Sequence, residues 1–313
     1  MWGASGFIGQ HLVRALVDRQ ISVIALSRRP FIADLSAAQS LVRWISVPDG
    51  DAGIPVLAEV IQEIEAVFNL AGSSGAVASN LNPVASLDAN CYIQARFLQA
   101  CELSKSKPHV VFASSRLVYG TPDSLPVTES CSLKPRSFYA AHKVAIEQYH
   151  QIAALRSVLS YTICRISNPY GGQATRPGHW QGFIDALIDR GCRGIPMEIY
   201  GDGRQLRDYI YIDDLTDALC RCAVFPAARN EIFNIGHGDS VSVLSAAQII
   251  RQQTGTPIVH LDWHPEAAFV ESGDYVVDIG KARTLLGFQP HFNFASTVQQ
   301  LIRTRRSLAV APR

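Results

Sequence analysis

In the stretch FYAAHKVAIEQYH (138–150), Tyr139 and Lys143 stand four residues apart in a helix-like pattern, so a phenol and an ammonium share one face. A phenol normally titrates at about 10. It becomes a usable base near neutrality when an ammonium and a cationic nicotinamide ring stand close by. The chain has only five lysines, so the Tyr-x-x-x-Lys spacing narrows the search without ending it. Ser115 closes the apolar run HVVFASS (109–115), and the carboxyl end of a parallel strand opens on the ligand crevice. A Ser115, Tyr139 and Lys143 set would let Ser115 position a sugar hydroxyl and Tyr139 take its proton. Lys143 would hold a nicotinamide ribose and lower the Tyr139 pKa. Taken alone, Ser115 reads equally as an ordinary strand-end hydroxyl.

A second constellation opens the chain. In MWGASGFIGQHLV, Gly3, Gly6 and Gly9 bracket Phe7 and Ile8, and backbone amides at a helix start can meet a pyrophosphate where no Cβ blocks the approach. The same glycines can instead mark a tight strand-to-helix turn. The next strand closes on ALSRRP, where a carboxylate commonly receives the adenosine ribose; here Ser27 stands in that place, followed by Arg28 and Arg29. These guanidiniums either pair with a 2′-phosphate or are solvated surface groups. Only Met1 and Trp2 precede Gly3, against a usual strand of about five or six residues. The first, central strand is therefore expected to be largely missing. Its neighbours would face a gap of unpaired amides and carbonyls, each worth roughly 1–3 kcal/mol, and the sequence reads as lacking its true amino terminus.

The elements that must position these residues follow βαβα order. ISVIAL (21–26), AVFNLAG (66–72), HVVFASS and YTICRIS (161–167) are continuous apolar runs, as buried parallel strands are. Between them, 7–18 repeats Ile8, Leu12, Leu16 and Val17 with helical period, and 82–103 does likewise. This order predicts an α/β, Rossmann-type doubly wound parallel sheet with a smaller carboxyl-terminal α/β domain. The dinucleotide half is expected to span 1–169 plus about 207–236, with RDYIYIDDLTDAL (207–219) returning to the first sheet. The second half would take about 170–206 plus 237–313, including the loop YGGQATRPGHWQG (170–182). With 313 residues, 48% hydrophobic content and a formal charge of +1 without blocks of one sign, nothing gathers nucleic acid or an anionic membrane. Seven cysteines without paired C-x-x-C spacing read as reduced thiols in a cytoplasmic protein, and no metal site is expected.

These blocks resemble the extended short-chain dehydrogenases/reductases, and among them nucleotide-sugar epimerases similar to UDP-glucose 4-epimerase. The resemblance is carried by GASGFIG, VFNLAG, LDAN, FASSRLVYG, YAAHK, RISNPYG, GDGRQLRDYIYIDDLTDAL, FNIGHG and VVDIGKARTLLGF, in that order. It implies that Leu70, Ala71, Gly72 and Asn90 line a cofactor pocket, that Asn168 contacts substrate, and that Arg207 meets a sugar-nucleotide pyrophosphate. Read without it, Asn168 before a proline is turn chemistry, and Arg207 beside Asp208 is a structural ion pair. Two departures narrow the type. Ser115-Arg116-Leu117 stands where the similar 4,6-dehydratases carry Thr-Asp-Glu, so elimination lacks its acid and base. FVESGDYVVD offers Glu271 and Asp274 where the family has an arginine. The resemblance implies NAD-dependent C4 epimerisation, with NADP left open by Arg28, and is compatible with a homodimer. The alternatives are an NADPH-dependent 4-keto nucleotide-sugar reductase and a non-catalytic dinucleotide sensor.

Overall fold

The structure is a computed structural model that describes residues 1–28, 39–172 and 182–310. In chain order it runs α1 (Phe7–Asp18), β1 (Val23–Ser27), β2 (Val42–Ser46), α2 (Gly53–Gln62), β3 (Ala66–Asn69), α3 (Ala76–Leu81), α4 (Pro83–Leu87), a π turn (Asp88–Tyr92) and α5 (Ile93–Ser104). There follow β4 (His109–Ser115), α6 (Phe138–Leu155), β5 (Ser160–Ile166), β6 (Asn168–Tyr170), α7 (Phe183–Cys192), β7 (Met197–Tyr200), β8 (Leu206–Arg207), β9 (Tyr209–Tyr211) and α8 (Ile212–Val224). The chain continues through β10 (Glu231–Ile235), β11 (Val241–Ser242), α9 (Val243–Thr254), β12 (Ile258–Leu261), α10 (Pro265–Val270), α11 (Gly280–Leu286) and α12 (Phe294–Val310).

The main sheet is parallel, in the order β2-β1 and then β3-β4-β5-β10, with Trp2 joining the two parts by parallel bridges to Leu26 and Asn69. The central strand is thus short, but its position is not an open gap at this end of the sheet. Leu26 N donates to Met1 O at 2.8 Å, Gly3 N to Leu26 O at 3.0 Å, Trp2 N to Phe68 O at 2.9 Å and Leu70 N to Trp2 O at 2.9 Å. Met1 and Trp2 are both buried, and the Trp2 ring stacks on Phe97 with centroids 5.2 Å apart.

Alternation along the strands divides their side chains between two faces. Val23, Ala25, Val111 and Phe233 pack with Leu12, Leu16, Leu215, Leu219 and, from α11, Ala282 and Leu286. Leu26, Val67 and Val110 pack on the other face with Leu57, Ile61 and Phe97 from α2 and α5. A separate core unites Tyr170, Ile184, Leu187, Ile199, Val243, Ile250, Val298 and Ile302. Among the described residues no helix is long and apolar enough to cross a membrane.

Some expectations need correction. The strand of 207–219 does not pair with the main sheet: β9 pairs in parallel with β6 and β8 pairs with β11, while α8 packs on the main sheet and Ile210 of β9 joins its core. Three-residue strands bond too briefly to reach across, whereas Ile212, Leu215 and Leu219 present one apolar stripe to it. The helical stretch expected over 82–103 runs without interruption through α4, the π turn and α5, with Asn82 capping its start before Pro83 and one turn carrying an additional residue. Arg29, and 173–181 of the long loop, lie outside the described residues.

Candidate active site

β4 ends at Ser115, whose Oγ accepts from Leu117 N at 3.2 Å and so caps a short 3₁₀ turn. α6 starts at an N-cap, Ser137, which accepts from Ala140 N, and its Tyr139 and Lys143 face the same cleft as Ser115. Lys143 is buried; its Nζ donates to Ala113 O at 2.7 Å and lies 4.7 Å from the Phe112 ring centroid and 5.7 Å from that of Tyr139. Burial lowers Lys143 to about 8, with Glu147 and Cys91 acting against it. Burial pushes Tyr139 up to about 12, opposed by hydrogen bonding with Ser115. The expected lowering of Tyr139 by Lys143 is therefore not what the protein alone produces. Desolvation wins while the ammonium is turned to a backbone carbonyl.

The glycines divide by role. A Cβ on Gly9 would stand 2.3 Å from Gly3 O, and one on Gly3, at φ +88°, would stand 2.8 Å from Leu70 C, so both are demanded by close packing of loop, helix and strand. Gly6 is different: a Cβ there meets only Gly3 O, at 3.3 Å. It is the N-cap of α1 and makes no side-chain cap, so the first amides of the helix are open to an anion.

The cleft, about 590 Å³, is lined on this side by Gly3, Gly6, Phe7, Ile8, Gly9, Leu70 and Gly72, and beyond Ser115 by Asn168, Tyr209, Arg207 and Glu271. Its size suits a buried ligand, and the glycine loop, open helix amides and Lys143 fit a dinucleotide. Four of the expected cofactor residues stand outside the lining. Asn90 donates to Ser73 Oγ at 3.1 Å and Ser86 O at 3.0 Å and accepts from Ser73 N at 3.2 Å, so it shapes the loop beside Gly72. Ala71 is buried beneath that loop. Ser27 is buried and its Oγ accepts from Trp44 Nε1 at 3.0 Å, while Arg28 lies 3.5 Å from Asp49 with both side chains exposed.

On the far wall Arg207 pairs with Glu271 at 2.5 Å, not with Asp208, and Nη1 donates to Leu206 O and Gly273 O. Asp208 instead accepts from the amides of His237, Gly238 and Val277. Asn168 Nδ2 donates to Asp208 O at 2.7 Å and its Oδ1 accepts from Arg116 Nε at 3.0 Å. Tyr200, Gln205, Tyr209 and Trp263 also line the cleft and escaped the sequence reading. The aromatic run DYIY was the one available signal for Tyr209.

A glycine loop and a Ser-Tyr-Lys trio at the strand ends of one parallel sheet define the class of the extended short-chain dehydrogenases/reductases. Residues 1–236 match the model of the NAD dependent epimerase/dehydratase family, and the chain belongs to that family. A dTDP-4-dehydro-6-deoxyglucose reductase of Escherichia coli is 28% identical, with 97% of this chain and 96% of that protein covered. A UDP-glucose 4-epimerase of Azospirillum brasilense is 28% identical, with 98% and 91% covered. Among solved structures, MoeE5 in complex with UDP-glucose and NAD is 32% identical, with 98% of each chain covered and a TM-score of 0.84. A second MoeE5 complex, with UDP-glucuronic acid and NAD, has a TM-score of 0.85 at the same identity, with 97% of this chain and 98% of that one covered.

Proposed function

We propose that the protein epimerises a nucleotide sugar, a UDP-sugar at C4, through a transient 4-keto intermediate. The observation that carries this reading is that Ser115, Tyr139 and Lys143 meet in one cleft between the glycine loop and the Asn168–Arg207 wall. NAD, when bound, supplies the hydride acceptor at C4 and gives the hydride back. Ser115 orients the 4-hydroxyl and Tyr139 takes its proton, then returns it to the alkoxide that re-forms. Lys143, which donates to Ala113 O here, would hold the cofactor ribose, and its charge would then favour the phenolate of Tyr139. The absence of carboxylates at Arg116 and Leu117 leaves water elimination without an acid and base. MoeE5, with its UDP-sugar and NAD complexes, supports both ligand classes.

Conversion of UDP-glucose, dTDP-glucose or a related nucleotide sugar to its 4-epimer, followed by NMR without added cofactor, tests the proposal. A second reading is favoured by the Escherichia coli relative, a 4-keto sugar reductase by name. Stoichiometric consumption of NADH or NADPH with a 4-keto nucleotide sugar, and no epimer, would replace the first reading by the second.

A further inference from the structure

Two arginines line the cleft, and they are held differently. Arg207 has a carboxylate, Glu271, at 2.5 Å. Arg116, the residue after Ser115, is only 9% exposed, and its partners are neutral: Nε donates to Asn168 Oδ1 at 3.0 Å and Nη1 to Ser272 Oγ at 3.2 Å. Its Cζ lies 4.8 Å from the centroid of the Tyr275 ring. Among the described residues Arg116 has no carboxylate within ion-pair distance and its Nη2 has no acceptor. The sequence of 173–181, QATRPGHWQ, contains no Asp or Glu.

A guanidinium withdrawn from water without a counter-charge is costly, and buried charges are ordinarily paired. Burial, and after it Arg207, lower Arg116 to about 10, opposed by Tyr275, by Glu271 from beyond ion-pair distance and by Tyr209, which leaves it charged at neutral pH. A second feature of the same wall also lacks a partner. The Tyr209 hydroxyl is buried, has no hydrogen-bond partner among the described residues, and lies within the electrostatic reach of Arg207, Arg116 and Glu271. A guanidinium edge with unused N–H groups and an unused phenol O–H are donors for the two oxygens of one planar anion.

We infer that Arg116 and Tyr209 recognise a carboxylate on the sugar ring of the substrate, so that a nucleotide hexuronic acid is preferred to the neutral hexose. The inference rests on the nucleotide-sugar reading above. Arg116 follows Ser115 directly and donates to Asn168, which lines the same cleft, whereas Arg207, on β8, is already neutralised by Glu271. The planar fork of arginine matches a carboxylate in two-point contact.

Calorimetry on the Tyr139→Phe protein, loaded with NAD, compares UDP-glucuronic acid with UDP-glucose, which differ at C6 alone. The acid is expected to bind roughly ten- to a hundredfold more tightly, the range for a hydrogen-bonded charge. Arg116→Gln in that background removes the preference, and Tyr209→Phe reduces it. Equal affinity for the two sugars before any change at Arg116 overturns the inference. So does an Arg116→Gln protein that loses both sugars and UDP alike, since that places Arg116 on the diphosphate. If Arg116→Gln does not fold, the affinity ratio and Tyr209→Phe still decide. Wild-type turnover keeps the two readings apart. Epimer formation without a preference for the acid sinks this inference alone, whereas tight binding of the acid with no epimer sinks the epimerase reading alone.

Discussion

In the role proposed for it Tyr139 starts from an unfavourable protonation state, whereas Lys143 is charged at neutral pH, and that sets what their variants should do. Tyr139→Phe keeps the ring and the backbone bond from Tyr139 N to Ser79 Oγ but removes the proton carrier. Turnover should fall about 10²- to 10⁴-fold while NAD still binds; substantial residual turnover would exclude Tyr139 as the base. Lys143, lowered to about 8 by burial, would bring its charge to the cofactor, as proposed, only while protonated. Affinity for NAD should therefore decline as pH rises above about 8, and Lys143→Met should bind weakly at every pH with that decline gone. A wild-type affinity that is flat from pH 7 to 10 would remove Lys143 from the cofactor site. At this scale the sequence was most legible for residues in patterned elements. Ser115, Tyr139 and Lys143 sit on a continuous apolar strand and a capped helix. Tyr209 and Glu271 act from a three-residue strand and a loop edge, where periodicity carries no signal.

The glycine helix separates two demands that the sequence had fused. Gly9→Ala drives a Cβ into the Gly3 and Ala4 carbonyls, at 2.3 and 2.8 Å, and backbone cannot rotate away as a side chain can. We expect about 1–3 kcal/mol of destabilisation, read as a lowered melting temperature of the cofactor-free protein. Gly6→Ala should lower that temperature less, its Cβ meeting only Gly3 O at 3.3 Å, and should weaken NAD, because Gly6 stands at the helix start where the amides are open. Equal loss of stability in both variants would make the loop a turn and no more. Helix 7–18 and strand 109–115 were readable to the residue, since one apolar period runs unbroken through each. The fate of 207–219 was not, because an apolar run does not say which neighbour it pairs with. Nor was the π turn within 82–103, which preserves a near-helical spacing.

At the scale of the molecule, stability should be asymmetric with pH. His150 is fully buried against Phe112, its Nδ1 bonded to Ile146 O and its Nε2 without a partner, and burial lowers it to about 4; His11 is lowered to about 4 as well, by burial and then Arg14. Unfolding lets these imidazoles take up protons that the fold refuses. Stability is thus intact above about 6.5 and lost as pH falls toward 4, by roughly 3 kcal/mol for His150. His150→Phe should raise the melting temperature at pH 5 relative to that at pH 7.5; an unchanged difference between the two would shift the acid sensitivity elsewhere. The first core also draws Phe233 and Ile235 from β10 and Ala282, Leu286 and Phe288 from the far end of the chain. A fragment of residues 1–236 should accordingly bind a hydrophobic dye and melt without a cooperative transition, and a sharp melt would contradict this packing. A ribosome releases the chain from one end only. On that face α1 and α8 are made early, but the patch that Ala282, Leu286 and Phe288 cover stays bare until residue 288 has emerged. From β10 until α11 is made, the nascent protein carries an apolar patch that a chaperone could hold, and synonymous codons that slow translation between residues 235 and 280 would lengthen that exposure.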